Sequence, residues 1–418
     1  MKAATESLTI RCRHVLPLAG PPVDGGWVRI IDGRINACGS GRPAGRVLDL
    51  DDCIVLPGLV NAHTHLEFSD LPRPLDPAGG LVRWIERIVA LRRGRDARPD
   101  AAARRDAAIR AGLAESAAAG VTAIGEIATA LPPAVVPPGP RCRVFWETLG
   151  LSGAAVATSG RRLVRDLDAL ARRGLVAGVS PHAPYSVSAT LGRAALAEAR
   201  RRRLPVAMHL AESREEAALL ADGHGPFRDL LEQLGAWPED RGPVLLPARE
   251  WISRLARAGR GLVVHGTHLD DDEAALARLA RHRDRLAVVV CPRTSHALAG
   301  RLPPVRAFRA AGIRVAIGTD SRASAPDLSV LAECRTLVDA GLVSPIESLA
   351  MATRDAAWAL GFEARCGLLA AGRPADLVVL RPAATGIDVA AAVLDPATEI
   401  VAVLRSGRAI HGSFADAP

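Results

Sequence analysis

Two histidines, His63 and His65, stand two positions apart and close the largely apolar stretch 59–62. Side chains at positions i and i+2 of a strand point to the same face, so both imidazoles can reach one point in space from a strand end. Imidazole nitrogens arranged in this way are suitable ligands for a metal ion. The pair therefore indicates a metal site.

Three further side chains of the same chemical kind also follow strand-like stretches. They are His209 after 204–208, His265 after 261–264, and Asp320 after 313–319. Any one of them alone is more readily explained as a structural residue. Metal-compatible side chains at four separate strand ends are hard to explain by packing, and a barrel enzyme assembles its active site from strand ends. We therefore expect them to meet around one cation.

The stretches that carry these residues belong to a regular alternation. Short apolar segments alternate with helical segments such as 100–118, 160–173 and 270–283, which is typical of a parallel sheet with crossover helices. The candidate strands are 59–63, 121–126, 144–148, 176–180, 205–209, 262–265, 286–291 and 315–319. Eight such units predict an α/β fold, a (β/α)8 TIM barrel.

Both ends of the chain carry hairpin patterns. One turns at Asp32-Gly33 and the other at Ser406-Gly407, each between β-rich segments. We expect the two ends to build one small β-sandwich, from residues 1–57 and 366–418, flanking a metal-dependent barrel over residues 58–365. The Pro- and Gly-rich segments 131–140 and 235–247 are expected to be loops, with Trp237 and Trp251 available for packing or for a lid.

Composition restricts the classes of protein. The 418 residues are 49% hydrophobic, enough for a large ordered core. The seven scattered cysteines include no Cys-x-x-Cys pair, which argues against a disulfide framework or a thiolate zinc site. No signal peptide or membrane span is recognisable, so we expect no membrane association and a cytoplasmic location.

The net charge of +8 comes almost entirely from arginine, since Lys2 is the only lysine. The cluster Arg200–Arg203 lies in a helical segment without interleaved aromatic residues, which favours a solvated helix face over a nucleic-acid surface. The His-x-Glu and Pro-Cys-x-x-Cys signature of nucleic-acid base deaminases is missing. We expect a small-molecule substrate and no nucleic-acid partner; a homo-oligomer stays open.

The sequence resembles the amidohydrolase superfamily, specifically its metal-dependent deaminase and chlorohydrolase branch. The similar segments are 57–65 (PGLVNAHTH), 209–212 (HLAE), 265–268 (HGTH), 318–321 (GTDS) and the closing 367–380 (GLLAAGRPADLVVL). They occur in family order over nearly the whole chain.

The resemblance implies a set of roles. The metal ligands would be His63, His65, His209 and Asp320, and the catalytic residues Glu212, His265 and Asp320. Members with two metals commonly bridge them by a carbamylated lysine on the fourth strand, which this chain lacks. One divalent ion is therefore expected, zinc in the first place and iron as the alternative.

In the implied mechanism, a zinc-bound water ionises near pH 7. Asp320 accepts a proton from water, His265 orients the nucleophile and stabilises developing charge, and Glu212 gives a proton to a ring nitrogen before ammonia leaves. Such proton transfers contribute about 10² to 10⁴ in rate.

Four residues are candidates for substrate binding. The segment 180–186 (SPHAPYS) resembles the fourth-strand segment of adenosine-type deaminases, in which the histidine contacts substrate, so His182 is one candidate. Arg293 in 291–296 (CPRTSH) could bind an anionic or polar tail, although His296 departs from the asparagine that relatives often carry there. Trp84 and Glu147 could line the pocket or serve only packing.

The leading hypothesis is hydrolytic deamination of an aminated heterocycle, such as an adenosine with a modified 5′ end of the aminodeoxyfutalosine or S-adenosylhomocysteine type. Hydrolysis of another carbon–nitrogen bond or of a carbon–halogen bond stays open, because function belongs to the site rather than to the barrel. A catalytically silent binding protein is the third alternative. Cys291, at the end of a Val-rich strand, is expected to be a buried hydrophobe rather than a nucleophile.

Overall fold

The computed structural model describes residues 7–133, 138–238, 245–384, 386 and 388–414. The strands, in chain order, are β1 (Ser7–Val15), β2 (Val23–Asp24), β3 (Gly26–Ile31), β4 (Arg34–Ser40), β5 (Val47–Pro57), β6 (Leu59–Thr64), β7 (Val121–Ala128), β8 (Arg141–Thr148), β9 (Val176–Pro181), β10 (Val206–Leu210), β11 (Gly261–His265), β12 (Leu286–Val290), β13 (Arg314–Ile317), β14 (Leu377–Arg381), β15 (Glu399–Arg405) and β16 (Arg408–Gly412).

Most of the α-helices lie between or directly after the strands β6 to β13 along the chain. The α-helices are α1 (Gly80–Asp96), α2 (Ala101–Ala118), α3 (Gly153–Arg172), α4 (Ala189–Arg202), α5 (Arg214–Asp222), α6 (Pro226–Gln233), α7 (Ala248–Leu255), α8 (Glu273–Arg281), α9 (Pro292–Ala299), α10 (Val305–Ala310), α11 (Val330–Asp339), α12 (Pro345–Ala350), α13 (Ala356–Ala359) and α14 (Val389–Leu394). Short 3₁₀ turns lie at Leu66–Phe68, Ala256–Ala258 and Leu269–Asp271, and a π-helical turn lies at Met351–Asp355.

Strands from both chain ends form one mixed sheet in the order β16-β15-β14-β5-β1-β3-β4, with β2 paired to β1. The sheet bends back on itself, because the amides of Ile35 on β4 and of Gly407 after β15 both donate to carbonyls of the segment 373–375. Side chains from its two halves, including Ile10 and Leu404, share one core. The predicted small β-sandwich built from both chain ends is confirmed.

The two predicted hairpins are confirmed, and their turns explain their sequence. Asp32 and Gly33 have φ values of 49° and 74°, and Ser406 and Gly407 have φ values of 50° and 75°. Two consecutive left-handed residues make a type I′ turn, whose twist matches the flanking strands.

Strands β6 to β13 form a parallel eight-stranded sheet in sequence order, so the predicted TIM barrel is confirmed. The barrel closes between β13 and β6, where the amide of Asp320 donates to the carbonyl of His63 at 3.1 Å. Gly318 allows this approach, since a Cβ there would lie 2.8 Å from His63 Cβ. All eight predicted strands are present; the last ends at Ile317 because the chain turns towards β6.

Barrel strands are apolar on both faces because both are buried, which is why they appear as apolar runs. Val60, Phe145 and Leu262 fill the barrel interior. The opposite face packs against the helices. Side chains at the strand ends are thereby held on a rigid frame.

The predicted helices exist with shifted starts. The segment 100–118 corresponds to α2. The helix predicted from 160 begins at Gly153, where the Ser152 hydroxyl accepts a hydrogen bond from the Ala155 amide at 3.3 Å. The helix predicted from 270 begins at Glu273, because Asp272 caps it after a 3₁₀ turn. A serine or aspartate side chain caps the start of the second and third of these helices.

The two predicted loops lie partly outside the described residues, which omit 134–137 and 239–244. Their described parts contain neither helix nor strand. Trp251 is buried on α7 against Gly192, so its role is packing. Trp237 is half-buried beneath the Arg228 guanidinium, 4.1 Å from its ring centre.

The arginine cluster at the end of α4 lies on a helix face. Arg201 and Arg202 both bind the carboxylate of Glu198. Across the described ranges, no helix combines the length and the apolar character that a bilayer crossing demands.

Candidate active site

Three histidines and Asp320 meet at the carboxyl end of the barrel. His63 and His209 lie on β6 and β10, and His65 directly follows β6. One ring nitrogen from each histidine lies within 4.8 Å of the others. Just beyond β13, Asp320 places Oδ1 3.6 Å from His63 Nε2 and 3.7 Å from His65 Nε2. The loop closing the barrel thus brings a carboxylate to the imidazoles.

The chemistry of these side chains fits a metal ion. Both ring nitrogens of His63 and Nδ1 of His65 are buried without a hydrogen-bond partner in the described part of the chain. Buried polar atoms are normally satisfied, so these atoms point to a ligand. Burial lowers the pKa of His63 to about 3 and also lowers the pKa values of His65 and His209. The imidazoles are therefore neutral, as ligation requires.

Neighbouring groups orient two of these side chains. The Nδ1–H of His209 donates to the carbonyl oxygen of His182 at 3.0 Å, which leaves Nε2 as the ring nitrogen free to bind a metal ion. The hydroxyl of Ser324 donates to Asp320 Oδ2 at 2.6 Å, while Oδ1 faces the imidazoles. Hydrogen bonds of this kind fix the orientation of metal-binding side chains.

A second pair of titratable groups adjoins the histidines. Glu212 Oε1 lies 3.5 Å from His265 Nε2, and both side chains are buried. Burial, reinforced by the charges of Asp320 and Glu216, raises the pKa of Glu212 well above its usual range. Burial lowers the pKa of His265. A carboxyl group that keeps its proton beside a neutral imidazole is suited to proton transfer.

Three non-glycine residues at this end of the barrel adopt left-handed backbone conformations. The φ values are 54° for Ala211, 67° for His265 and 55° for Asp320. Such conformations are uncommon for non-glycine residues and cluster at functional sites. Each stands where a strand turns into its loop, and two of them, His265 and Asp320, are themselves candidate site residues.

Glu216 holds the loop between His209 and Glu212. Its Oε1 accepts a hydrogen bond from the Ala211 amide at 2.9 Å, and its Oε2 accepts one from the Glu212 amide at 3.0 Å. The Glu216 amide in turn donates to the Ser213 hydroxyl at 3.1 Å. The Ser213 side chain thus caps the start of α5, and the Glu216 carboxylate fixes the backbone of Ala211 and Glu212.

Comparison with known proteins identifies the family. The sequence profile of the amidohydrolase family matches residues 54–410. The chain is also 30% identical over 389 residues to 5-methylthioadenosine/S-adenosylhomocysteine deaminase from Moorella thermoacetica, an alignment covering 88% of this chain and 83% of the relative. The chain belongs to the amidohydrolase family. It is therefore a metal-dependent enzyme that hydrolyses carbon–nitrogen bonds other than peptide bonds and acts on a small molecule.

Solved structures share the fold of this amidohydrolase. Helicobacter pylori aminofutalosine deaminase in complex with methylthio-coformycin has a TM-score of 0.79 at 22% identity, with 97% of this chain and 100% of that chain covered. An adenosine deaminase from Xanthomonas campestris with bound zinc has a TM-score of 0.76 at 25% identity, with coverage of 96% and 92%. Barrel and flanking β domain are thus shared over nearly the full length.

A cavity of about 380 Å³ opens over the histidines of this amidohydrolase. Two of the predicted substrate-binding residues, His182 and Trp84, line it. His182 Nδ1 is hydrogen-bonded with the Ser186 hydroxyl at 2.6 Å. The Trp84 indole N–H donates to the Ala323 carbonyl at 3.1 Å, so Trp84 offers its apolar surface to the cavity.

Glu147, also predicted to bind substrate, lies beside the cavity and is not part of its lining. Its Oε1 is 4.0 Å from His182 Nε2, and its Oε2 is 4.0 Å from an Nη atom of Arg92. Arg92 binds Glu67 at 2.7 Å. Burial raises the pKa of Glu147 to about 7. This charged network supports the wall behind His182.

Arg293, the fourth predicted substrate-binding residue, is placed away from the cavity. Its guanidinium binds Glu333 Oε1 at 2.7 Å and Asp327 Oδ1 at 2.8 Å. Glu333 and Asp327 are 40 and 34 positions from Arg293, so the spacing of residues in the sequence could not reveal these ion pairs. Arg293 therefore forms internal ion pairs that anchor α9, and it is not among the residues that line the cavity. His296, on the same helix, is exposed.

Sequence reasoning missed Ser324, Glu216 and Arg92. A signal existed for Glu216, because Ser213 and Glu216 have the spacing of a capping box. Nothing in the sequence pointed to Ser324 as the partner of Asp320. Cys291 is fully buried, and burial raises the pKa of its thiol, which agrees with the expectation of a small hydrophobe.

Proposed function

We propose that the protein is a hydrolytic deaminase of an aminated purine nucleoside whose 5′ carbon carries a substituent. The observation that carries the proposal is the approach of Glu212 Oε1 to His265 Nε2, at 3.5 Å, beside a cluster of neutral imidazoles and Asp320. The relative from Moorella thermoacetica is named a deaminase of 5-methylthioadenosine and S-adenosylhomocysteine, which supports this substrate class.

His63, His65, His209 and Asp320 would hold one divalent ion, zinc in the first place and iron as the alternative. Bound there, the ion supplies a Lewis acid and makes water acidic enough to act as a nucleophile at neutral pH. Lys2, the only lysine, lies at the chain start and not in the fourth barrel strand, so no carbamylated lysine can bridge a second ion there. A site for a single divalent ion therefore makes use of all four of these side chains.

The remaining residues would move protons and hold the substrate. Glu212, with its raised pKa, gives a proton to the ring nitrogen next to the carbon that bears the amino group. Asp320 receives a proton from the attacking water and passes it to the leaving amine, so that the carbon–nitrogen bond breaks and ammonia departs. Glu212 then recovers its proton from the hydroxyl group left on that carbon. His265 orients the water, and His182 positions the nucleoside from the cavity wall.

Ammonia release from a panel of aminated compounds tests the proposal. The zinc-loaded protein is incubated with adenosine, 5′-substituted adenosines, cytidine and an aminotriazine, and ammonia is measured with a coupled assay. Release from a 6-aminopurine nucleoside is expected. Absence of ammonia from every compound would reject the proposal, and product without ammonia from a halogenated triazine would assign carbon–halogen hydrolysis instead.

A further inference from the structure

The cavity above the candidate metal site has walls of a different chemistry from its floor. The floor is polar and includes His65, His182 and Glu212. The wall comes from α1, from α6 and from the loop after β8, and it is mostly aliphatic and aromatic. Ile85, Ile88, Leu149, Phe227, Leu230 and Leu231 represent it.

The wall is well ordered by packing. Phe227 is buried and stacks on Tyr185 with ring centres 4.2 Å apart. Leu81, Leu230 and Leu231 are buried in the same apolar cluster. Since α1 and α6 pack together in this cluster, the wall is a continuous packed surface.

Charged groups suited to an amino-acid head group do not line this wall among the residues that the structure describes. Arg92 is the one arginine or lysine in the described lining, and its guanidinium already binds Glu67 at 2.7 Å. The lining carboxyl groups, Glu212 and Asp320, both lie at the floor beside the histidines. On this wall a charged tail would therefore lose its hydration without gaining a partner of opposite charge.

Leu149 lies at the mouth of the cavity. It lines the cavity and is 40% exposed, which makes it one of the few large apolar side chains on the surface of the described chain. An exposed apolar residue at a cavity mouth gains most when an apolar ligand covers it.

Building on the deaminase function proposed above, we propose that the cavity selects nucleosides whose 5′ substituent is apolar and uncharged, such as an alkylthio group. With the purine amino group at the floor, the rest of the nucleoside extends along the aliphatic wall. Burying the alkylthio group against Ile85 and Leu230 favours binding, whereas an α-amino acid at the same place leaves two charges unpaired.

Steady-state kinetics test the preference. We expect kcat/KM for 5′-methylthioadenosine to exceed that for adenosine and that for S-adenosylhomocysteine by about tenfold or more. An equal or higher kcat/KM for S-adenosylhomocysteine overturns the inference and leaves the deaminase function standing. If no ammonia is released at all, the holoenzyme is titrated with 5′-methylthioinosine and S-inosylhomocysteine, and tighter binding of the latter overturns it.

Two pairs of variants localise the effect. Leu149→Arg supplies a cation at the mouth, and we expect the ratio of kcat/KM for S-adenosylhomocysteine to that for 5′-methylthioadenosine to rise about fivefold. The matched control is Val164→Arg, on α3 and 42% exposed, which should leave that ratio unchanged. An equal change in both variants contradicts a specific role for the mouth.

Ile85→Ala removes part of the wall. We expect kcat/KM for 5′-methylthioadenosine to fall about fivefold while that for adenosine stays within twofold. Ile346→Ala, at an exposed position on α12, controls for the substitution itself. Equal losses with both substrates would show a purely structural role for Ile85 and would count against the inference.

Discussion

The hydroxyl of Ser324 donates to Oδ2 of Asp320 at 2.6 Å, and Oδ1 of the same carboxylate faces His63 and His65. Thr294 continues this chain with a hydrogen bond to the Ser324 hydroxyl at 2.9 Å. One carboxylate is thereby held from the side opposite to the imidazoles. The orientation of Asp320 is set before any ligand arrives.

Ser324→Ala removes that support. We expect the affinity for zinc to fall about tenfold. Losing a hydrogen bond to a metal-binding side chain typically lowers metal affinity or activity roughly 10- to 100-fold. Competition with a fluorescent chelator measures the affinity. Ser253→Ala changes a partly exposed serine on α7 and serves as the control. Unchanged zinc affinity in Ser324→Ala would contradict a role for this hydrogen bond.

His65→Ala tests the candidate metal site directly. Removing one of three imidazoles leaves too few ligands for tight binding, so purified protein should retain less than about a tenth of the zinc of the unmodified protein and should lose activity. Elemental analysis by mass spectrometry measures the content. His296→Ala, an exposed histidine on α9, should keep its zinc. Full zinc content in His65→Ala would remove His65 from the ligand set.

The residues at the floor of the cavity could be predicted from the sequence, whereas those of its wall could not. His63, His65, His209 and Asp320 could be predicted because strand period and motif are local properties, and a parallel barrel brings strand ends together. The wall could not be predicted, since Ile85 and Phe227 belong to helices whose contact depends on tertiary packing. Arg293 shows the same limit, because its partner Glu333 is 40 positions away.

Glu216→Ala tests how the loop positions Glu212. Loss of two hydrogen bonds to successive amides should free Glu212, so kcat should fall by about 10- to 100-fold with KM changed less than threefold. Glu215→Ala, the preceding residue, is the matched control. Circular dichroism and thermal unfolding establish that the variant is folded. A loss confined to KM would argue that the loop serves substrate binding instead.

Glu147→Gln tests the charge network behind His182. Burial raises the pKa of Glu147 from 4.5 to about 7, so the folded state binds this proton more tightly than the unfolded chain does. The free energy of unfolding should therefore fall as pH rises from about 4.5 to about 7, by about 3 kcal/mol from this group. Urea unfolding of the metal-free protein at pH 5 and pH 8 measures it.

Between pH 5 and pH 8, the free energy of unfolding of Glu147→Gln should fall less than that of the unmodified protein. Glu399→Gln, with a side chain that is 71% exposed, should behave as the unmodified protein does. An unaltered pH dependence in Glu147→Gln would assign the fall to other groups.

The variant Cys291→Ala tests whether Cys291 is a buried apolar residue or a nucleophile. The thiol is fully buried and its pKa is raised by burial, so it stays protonated at neutral pH and is shielded from reagents. We expect the variant to keep kcat within about twofold while losing about 1 kcal/mol of stability to the small cavity. Cys334→Ala, equally buried on α11, provides the comparison. Loss of activity in Cys291→Ala alone, with folding intact, would make this thiol part of the reaction.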